Sequence, residues 1–100
     1  GQGSPIMTNL ASVRVTVHGR VQGIGFRYFI MKYAVELGLT GYVCNLPDTT
    51  AIEVEAEGER DQLEKLIEYL EVGALGTKVE TVDIDRSEYS GDYSKFDIRR

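Results

Sequence analysis

Hydrophobic side chains follow two different spacings in the first third of the chain. Residues 13–17 carry valine at every second position, which is typical of a strand with one buried face. Residues 26–37 repeat apolar side chains every three or four positions, which predicts a helix that ends at Gly38. Three glycines occur where the spacing changes, between residues 19 and 25. The pattern therefore predicts a strand, a shaped glycine-rich loop and a helix.

The remainder of the chain adds further strands and a second helix. Residues 39–46 have strand character, and residues 52–57 alternate apolar side chains with glutamates. We expect the glutamate face of that strand to be exposed to solvent, so that only one face of the sheet is covered. Apolar spacing predicts a second helix over residues 59–72. Two further strands are predicted, one near residues 79–84 and a short one near residues 96–98.

This order of elements predicts a ferredoxin-like α+β fold. Strand, helix, strand, strand, helix, strand and a short terminal strand form a two-layer α/β sandwich (βαββαβ), with an antiparallel sheet covered on one face by two helices. Residues 7–100 are predicted to form a single domain. Residues 1–6, ahead of Met7, have the character of a remnant from protein expression and are left out of the fold prediction.

Composition narrows the classes of function. The formal net charge of −5 disfavours a nucleic-acid-binding surface over the whole domain. No stretch approaches the roughly 20 apolar residues of a membrane span. The single cysteine, Cys44, can form neither an internal disulfide nor a metal site alone. These features predict a cytoplasmic protein with no membrane, nucleic-acid or metal partner.

The glycine-rich segment of residues 19–27 has the features of an anion site. A glycine-rich turn that leads into a helix directs several backbone N–H groups into one concavity, and the helix dipole favours negative charge there. Arg27 lies near the start of the helix, where its guanidinium can bind a phosphate through two hydrogen bonds. The alternative is a glycine-rich connection whose arginine points into solvent.

The side chains near this segment limit the chemistry that is available. The sequence shows no serine or cysteine paired with a base, no acidic pair and no histidine cluster beside it. The segment therefore lacks the side chains that a nucleophilic or a metal-assisted mechanism needs. Phosphoryl transfer fits better, because there the protein mainly aligns the reactants and neutralises charge.

Two segments of the chain resemble signatures of the acylphosphatase family. Residues 19–27 read GRVQGIGFR, and residues 41–45 read GYVCN. The resemblance extends from residue 13 to residue 98 and includes the terminal YSKFDI of residues 93–98. The family has the ferredoxin-like fold that the periodicity predicts independently.

The resemblance implies a metal-independent hydrolase that acts on small acyl phosphates. Arg27 would hold the phosphate, Asn45 would position the attacking water, and the bound phosphate would accept the water's proton. The implied phosphate loop, which contacts the phosphoryl oxygens through its backbone N–H groups, consists of Arg20, Val21, Gln22, Gly23, Ile24 and Gly25. No cofactor is implied, the products are carboxylate and phosphate, and we expect a monomer.

The turn after Asn45 departs from the family pattern. In the family, the residue equivalent to Asp48 is normally followed by glycine, whereas here Thr49, Thr50 and Ala51 follow. Because β-branched threonines resist positive φ, we expect a longer turn of another type. The position of Asn45 depends on this turn.

Two other functions remain open. One is a non-catalytic module that binds phosphate or carbamoyl phosphate, since the fold does not determine function. The other is RNA binding, which is disfavoured by the net charge and because the predicted strands lack exposed aromatic side chains flanked by basic residues.

Other side chains that could take part in chemistry have simpler interpretations. We interpret His18 as structural, Cys44 as an unreactive thiol, and Phe26, Phe29 and Tyr33 as core residues.

Overall fold

We describe a computed structural model of the chain. It describes residues 9–22, 24–47, 50–73 and 77–99. The predicted remnant, residues 1–6, lies outside the described residues. So do Gly23 of the phosphate loop and Asp48 and Thr49 of the predicted turn.

The element order agrees with the sequence prediction. In chain order the elements are β1 (Leu10–Arg20), α1 (Ile24–Glu36), β2 (Thr40–Asn45), β3 (Ile52–Glu59), α2 (Arg60–Val72), β4 (Lys78–Ser87) and β5 (Phe96–Arg99). They form one five-stranded sheet in the order β4-β1-β3-β2-β5.

The terminal strand β5 is the exception to the predicted antiparallel sheet. The pairs β1–β3, β1–β4 and β2–β3 are antiparallel, but β5 pairs with β2 in parallel, so the sheet is mixed. The reason is the path of the chain. β4 and β5 lie at opposite edges, and the chain crosses at the end of the sheet where β4 finishes. β5 must then run back in the direction of β2.

Both helices pack on one face of the sheet, as predicted. α1 lies over β2 and β5, and α2 lies over β1, β3 and β4. The core between the layers is formed by the inward side chains of the strands and by one stripe of each helix. Its fully buried members include Val13, Val15, Val17, Ile30, Ala34, Val43, Ile52, Val54, Leu63, Leu66 and Leu70.

The prediction that Phe29 belongs to the core is wrong. Phe26 is buried and Tyr33 packs against the core, but Phe29 is 49% exposed and forms an edge-on pair with Tyr28, their ring centroids 5.8 Å apart. The side of α1 that faces the sheet is centred on Phe26, Ile30 and Ala34. At about 100° per residue, Phe29 lies roughly a quarter turn from the centre of that side. It is therefore directed away from both the sheet and the interior.

The face of the sheet opposite the helices is here called the open face. We predicted that it would be exposed to solvent, but part of it is covered. The chain between β4 and β5, residues 88–95, crosses it. Four strand spacings of about 4.8 Å separate the two edges, about 19 Å, and eight extended residues can reach about 26 Å. Tyr93 Oη donates a hydrogen bond to Glu55 at 2.5 Å, and Ser90 and Gly91 contact Glu57. The crossing segment thus covers the part of β3 that carries Glu55 and Glu57.

Glu57 fastens the crossing segment to the sheet. Glu57 is only 2% exposed. Its carboxylate accepts two hydrogen bonds from Ser90, one from the backbone N–H at 3.0 Å and one from the hydroxyl at 2.6 Å. It accepts a third from the Gly91 N–H at 3.0 Å. Burial raises the pKa of Glu57, but the hydrogen bonds from Ser90, Gly91 and Ser12 outweigh it. They hold the pKa below its ordinary value of 4.5.

We expect Glu57→Gln to destabilise the protein in a pH-dependent way. At pH 7 the variant loses charged acceptors for buried donors, which lowers the free energy of unfolding by about 1–3 kcal/mol. The lowered pKa of Glu57 gives stability that is present above its unfolded-state pKa and is lost as the pH falls through its folded-state pKa. The difference between wild type and variant should therefore shrink from pH 7 to pH 3. Urea unfolding at both pH values measures it.

The matched control is Glu68→Gln on the exposed side of α2. It should leave the free energy of unfolding nearly unchanged at both pH values. A Glu57→Gln difference of the same size at pH 3 and pH 7 would contradict a stabilising carboxylate.

Candidate active site

The phosphate loop is shorter in the structure than the glycine spacing predicted. Arg20 is the last residue of β1, and Ile24 and Gly25 form the first turn of α1. Val21 and Gln22 are the described residues that connect the two elements, and Val21 is fully buried. The segment is therefore a tight link from strand to helix.

Gly19 allows β1 to continue to Arg20 beside β4. The register between β1 and β4 shifts between His18 and Gly19, which is a β-bulge. Gly19 has a φ of +135°, and a Cβ atom there would lie 2.0 Å from the carbonyl oxygen of Lys78. Glycine is the residue that allows β4 this close approach, and the bulge directs the chain into the phosphate loop.

The register brings the two predicted catalytic segments to the same end of the sheet. Ile52 of β3 pairs with Val17 of β1 on one side and with Asn45 of β2 on the other. Asn45 thus ends β2 about two strand spacings, or roughly 10 Å, from the strand that leads into the phosphate loop. α1 begins at this end and packs over β2.

The N-terminus of α1 favours an anion. The first four N–H groups of a helix have no carbonyl partner within the helix, and the helix dipole is positive there. The first turn of α1 carries no acidic side chain that would occupy this position. The backbone at Ile24 and Gly25 therefore has the donors that a phosphate group needs.

Asn45 has a free acceptor in this region. Side chains alternate along β2, and Val43, two residues earlier, lies in the core, so Asn45 is directed to the face that the helices cover. Its Oδ1 atom is buried and has no hydrogen-bond partner among the described residues. Since buried polar atoms are nearly always paired, this atom marks a position for a water or ligand.

Arg27 has a free donor in the same region. Its Nε atom is buried and, within the described part of the chain, also lacks a hydrogen-bond partner. Arg27 lies in the first turn of α1, which packs over β2, the strand that ends at Asn45. An unpaired buried donor on a cation is costly unless an anion binds it.

Gln22 makes a contact that the sequence reasoning missed, because it assigned only backbone donors to this residue. The side-chain Nε2 donates hydrogen bonds to the carbonyl oxygens of Leu46 at 3.2 Å and Ala51 at 2.9 Å. Residues 46–51, here called the β2–β3 turn, follow Asn45 directly. No sequence pattern signals this contact, because it joins residues more than 20 positions apart.

Cys44 and His18 lie on the open face, away from the site. Burial and Glu53 raise the pKa of Cys44, although Arg99 and Arg27 oppose this, so its thiol stays protonated at neutral pH. His18 Nε2 lies 3.0 Å from the Asp83 carboxylate. Both observations agree with the interpretation of these residues as non-catalytic.

Within the described ranges, no group of three or more His, Cys, Asp or Glu side chains is arranged to hold a metal ion.

Comparisons with known proteins identify the family. Residues 13–98 match the family model described as Acylphosphatase. A protein named Acylphosphatase from Acaryochloris marina is 42% identical over 95 residues, which are 95% of this chain and all of that protein. The structure of an acylphosphatase from Coxiella burnetii superposes with a TM-score of 0.84 at 38% identity, covering 94% of this chain and 99% of that one.

A domain of a much larger protein is also similar. Full-length HypF, solved in a phosphate- and nucleotide-bound form, superposes with a TM-score of 0.80 at 25% identity. The likeness covers 97% of this chain but 13% of HypF.

The matched region, residues 13–98, includes both signature segments, residues 19–27 and 41–45. The family model and the relatives together show that the chain belongs to the acylphosphatase family.

Proposed function

We propose that this chain hydrolyses the carboxyl-phosphate bond of small acyl phosphates, releasing carboxylate and phosphate, without a metal or other cofactor. The observation that carries the proposal is a pair of buried atoms, near the N-terminus of α1, that have no hydrogen-bond partner among the described residues. Arg27 contributes a donor and Asn45 contributes an acceptor. The donor of Arg27 can bind an anion and the acceptor of Asn45 can bind a water, so the pair can hold two reactants next to each other.

The phosphate group binds at the start of α1 in this proposal. Backbone N–H groups of the phosphate loop, residues 20–25, donate to its oxygens, and the guanidinium of Arg27 donates two further hydrogen bonds. These donors stabilise the charge that spreads over the phosphoryl oxygens in the transition state.

Asn45 orients the attacking water. Its free Oδ1 accepts a hydrogen bond from the water, which aligns a lone pair of the water oxygen with phosphorus. The bond from phosphorus to the acyl oxygen breaks as the new bond to the water oxygen forms. The carboxylate leaves with the bonding electron pair, and a phosphoryl oxygen takes the water's proton.

The alternative is a non-catalytic phosphate or carbamoyl-phosphate module, and HypF, which contains a similar domain, was solved in a phosphate- and nucleotide-bound form. The free atom of Asn45 favours hydrolysis over that alternative. Oδ1 is an acceptor, and a water that donates one proton to it can direct a lone pair of its own oxygen at phosphorus. A module that only binds phosphate needs Arg27 and the phosphate loop, but it does not need an amide that orients a water.

The setting in which the enzyme works also belongs to the proposal. We infer a monomer that acts in the cytoplasm, supported by the single cysteine, which cannot form an internal disulfide, and by the net charge of −5. Across the described residues, no helix is long and apolar enough to span a membrane.

The test is hydrolysis of benzoyl phosphate in excess EDTA by wild type and by Asn45→Ala. We expect wild-type turnover that EDTA leaves unchanged. Loss of the water-orienting amide should lower kcat by about 100-fold or more and change KM by less than about threefold, because an in-line water matters chiefly in the transition state.

The matched control is Asn9→Ala, at the exposed residue that precedes β1, which should have wild-type kinetics. Wild type that binds phosphate but does not turn over benzoyl phosphate would support the binding module instead. Activity that EDTA removes and Mg²⁺ restores would contradict a metal-independent mechanism.

A further inference from the structure

One side chain connects the two halves of the candidate site. Gln22 belongs to the phosphate loop, yet its amide reaches the β2–β3 turn and donates to the carbonyl oxygens of Leu46 and Ala51. A primary amide has two protons on its nitrogen, so one group can serve both acceptors. Leu46 also donates its own N–H to the Ala51 carbonyl oxygen at 3.0 Å, which closes the turn.

The two carbonyls lie next to the residues that hold Asn45 in register. Leu46 follows Asn45 in the chain, and Ala51 precedes Ile52, the residue that pairs with Asn45 across the ladder. The amide of Gln22 therefore holds the pair of residues that adjoins the Asn45–Ile52 pair.

The geometry points to Gln22 as a positioning residue for Asn45. Because Gln22 also belongs to the phosphate loop, its contact with the turn would fix the position of the attacking water relative to that of the bound phosphate. This inference rests on the proposed acyl phosphate hydrolysis. Gln22 contacts both ends of the β2–β3 turn, since Leu46 is its first residue and Ala51 its last. An error of about 1 Å in the position of a reacting group can cost about 100-fold in rate.

Gln22→Ala should reduce turnover without weakening phosphate binding. We expect kcat for benzoyl phosphate to fall by about 10- to 100-fold, while KM and the Kd for inorganic phosphate change by less than about twofold. Gln22→Glu, which keeps the length but replaces the donors with a carboxylate, should lose at least as much. Gln62→Ala on α2 is the matched control and should retain wild-type kinetics.

A double-mutant cycle separates positioning of Asn45 from a direct effect on the phosphate. If Gln22 acts through Asn45, adding Gln22→Ala to Asn45→Ala should lower kcat by less than about twofold. A Gln22→Ala effect that persists in full in the Asn45→Ala background would overturn the inference. So would a Kd for phosphate that rises in parallel with the loss of kcat.

Hydrogen exchange tests the contact independently of catalysis. Exchange of the Leu46 amide should be at least about tenfold faster in Gln22→Ala, with the thermal midpoint within a few degrees of wild type. Unchanged exchange of that amide would show that Gln22 does not hold the turn. If wild type lacks hydrolysis but Gln22→Ala accelerates the exchange, the proposed function fails while the structural coupling stands.

Discussion

Replacing Arg27 with alanine is expected to abolish acyl phosphate hydrolysis while leaving the fold intact. The variant loses the guanidinium that binds the phosphate in both the ground state and the transition state. We expect kcat/KM to fall by at least about 1,000-fold, since deletion of one transition-state donor alone costs about 100- to 1,000-fold. Binding of inorganic phosphate should become undetectable by calorimetry.

Stability should respond little to the same change. The Nε atom of Arg27 is buried without a hydrogen-bond partner among the described residues, so alanine removes an unsatisfied group. We expect the free energy of unfolding to fall by no more than about 1 kcal/mol, or to rise, as is common when an active site is relieved of unfavourable burial. Activity and stability would then change independently.

Arg86→Ala supplies the control for Arg27→Ala. Arg86 makes an exposed ion pair with Glu64, away from the end of the sheet that carries the site, and its loss should affect neither kinetics nor stability by much. If Arg27→Ala hydrolysed benzoyl phosphate at the wild-type rate, the assignment of the whole site would have to be abandoned.

Gly41→Ala is expected to cause the largest loss of stability of any single methyl addition that we consider. Gly41 lies in β2 with a φ of +138°, and a Cβ atom there would lie 1.9 Å from the carbonyl oxygen of Glu55. Backbone atoms of β3 cannot move aside without separating the strands. The strained φ costs about 1–3 kcal/mol by itself, and the clash adds to it. We expect a loss of at least about 3 kcal/mol in urea unfolding.

Gly25→Ala is the matched substitution for stability. Gly25 lies in the first turn of α1, and no atom lies within 4 Å of the position that a Cβ would take. Alanine there should stabilise the protein by up to about 1 kcal/mol. Equal stability of the Gly41 and Gly25 variants would contradict the close approach of β2 and β3.

The contrast between these two glycines shows where local sequence patterns stop being informative. Both belong to segments that resemble family signatures, yet one is needed for the approach of two backbones and the other has open space around it. Spacing along the chain cannot distinguish them. The distinction depends on which strand lies opposite, and that is decided by long-range pairing.

The open face shows the same limit in another form. The alternation of residues 52–57 correctly predicts the strand and its two faces. It cannot show that residues 88–95 return across the glutamates, because that path follows from β4 and β5 lying at opposite edges of the sheet. Glu57 became a buried, hydrogen-bonded carboxylate for this reason.

The sequence alone determined the order of elements, the ferredoxin-like fold, the family and the two side chains, Arg27 and Asn45, that we propose for catalysis. These follow from periodicity and from short signatures, both of which are local. Only the tertiary structure decided that β5 runs parallel to β2, that Phe29 is exposed, and that Gln22 contacts the turn after Asn45. Each depends on residues distant in the chain meeting in space, and spacing along one segment carries no information about its partners.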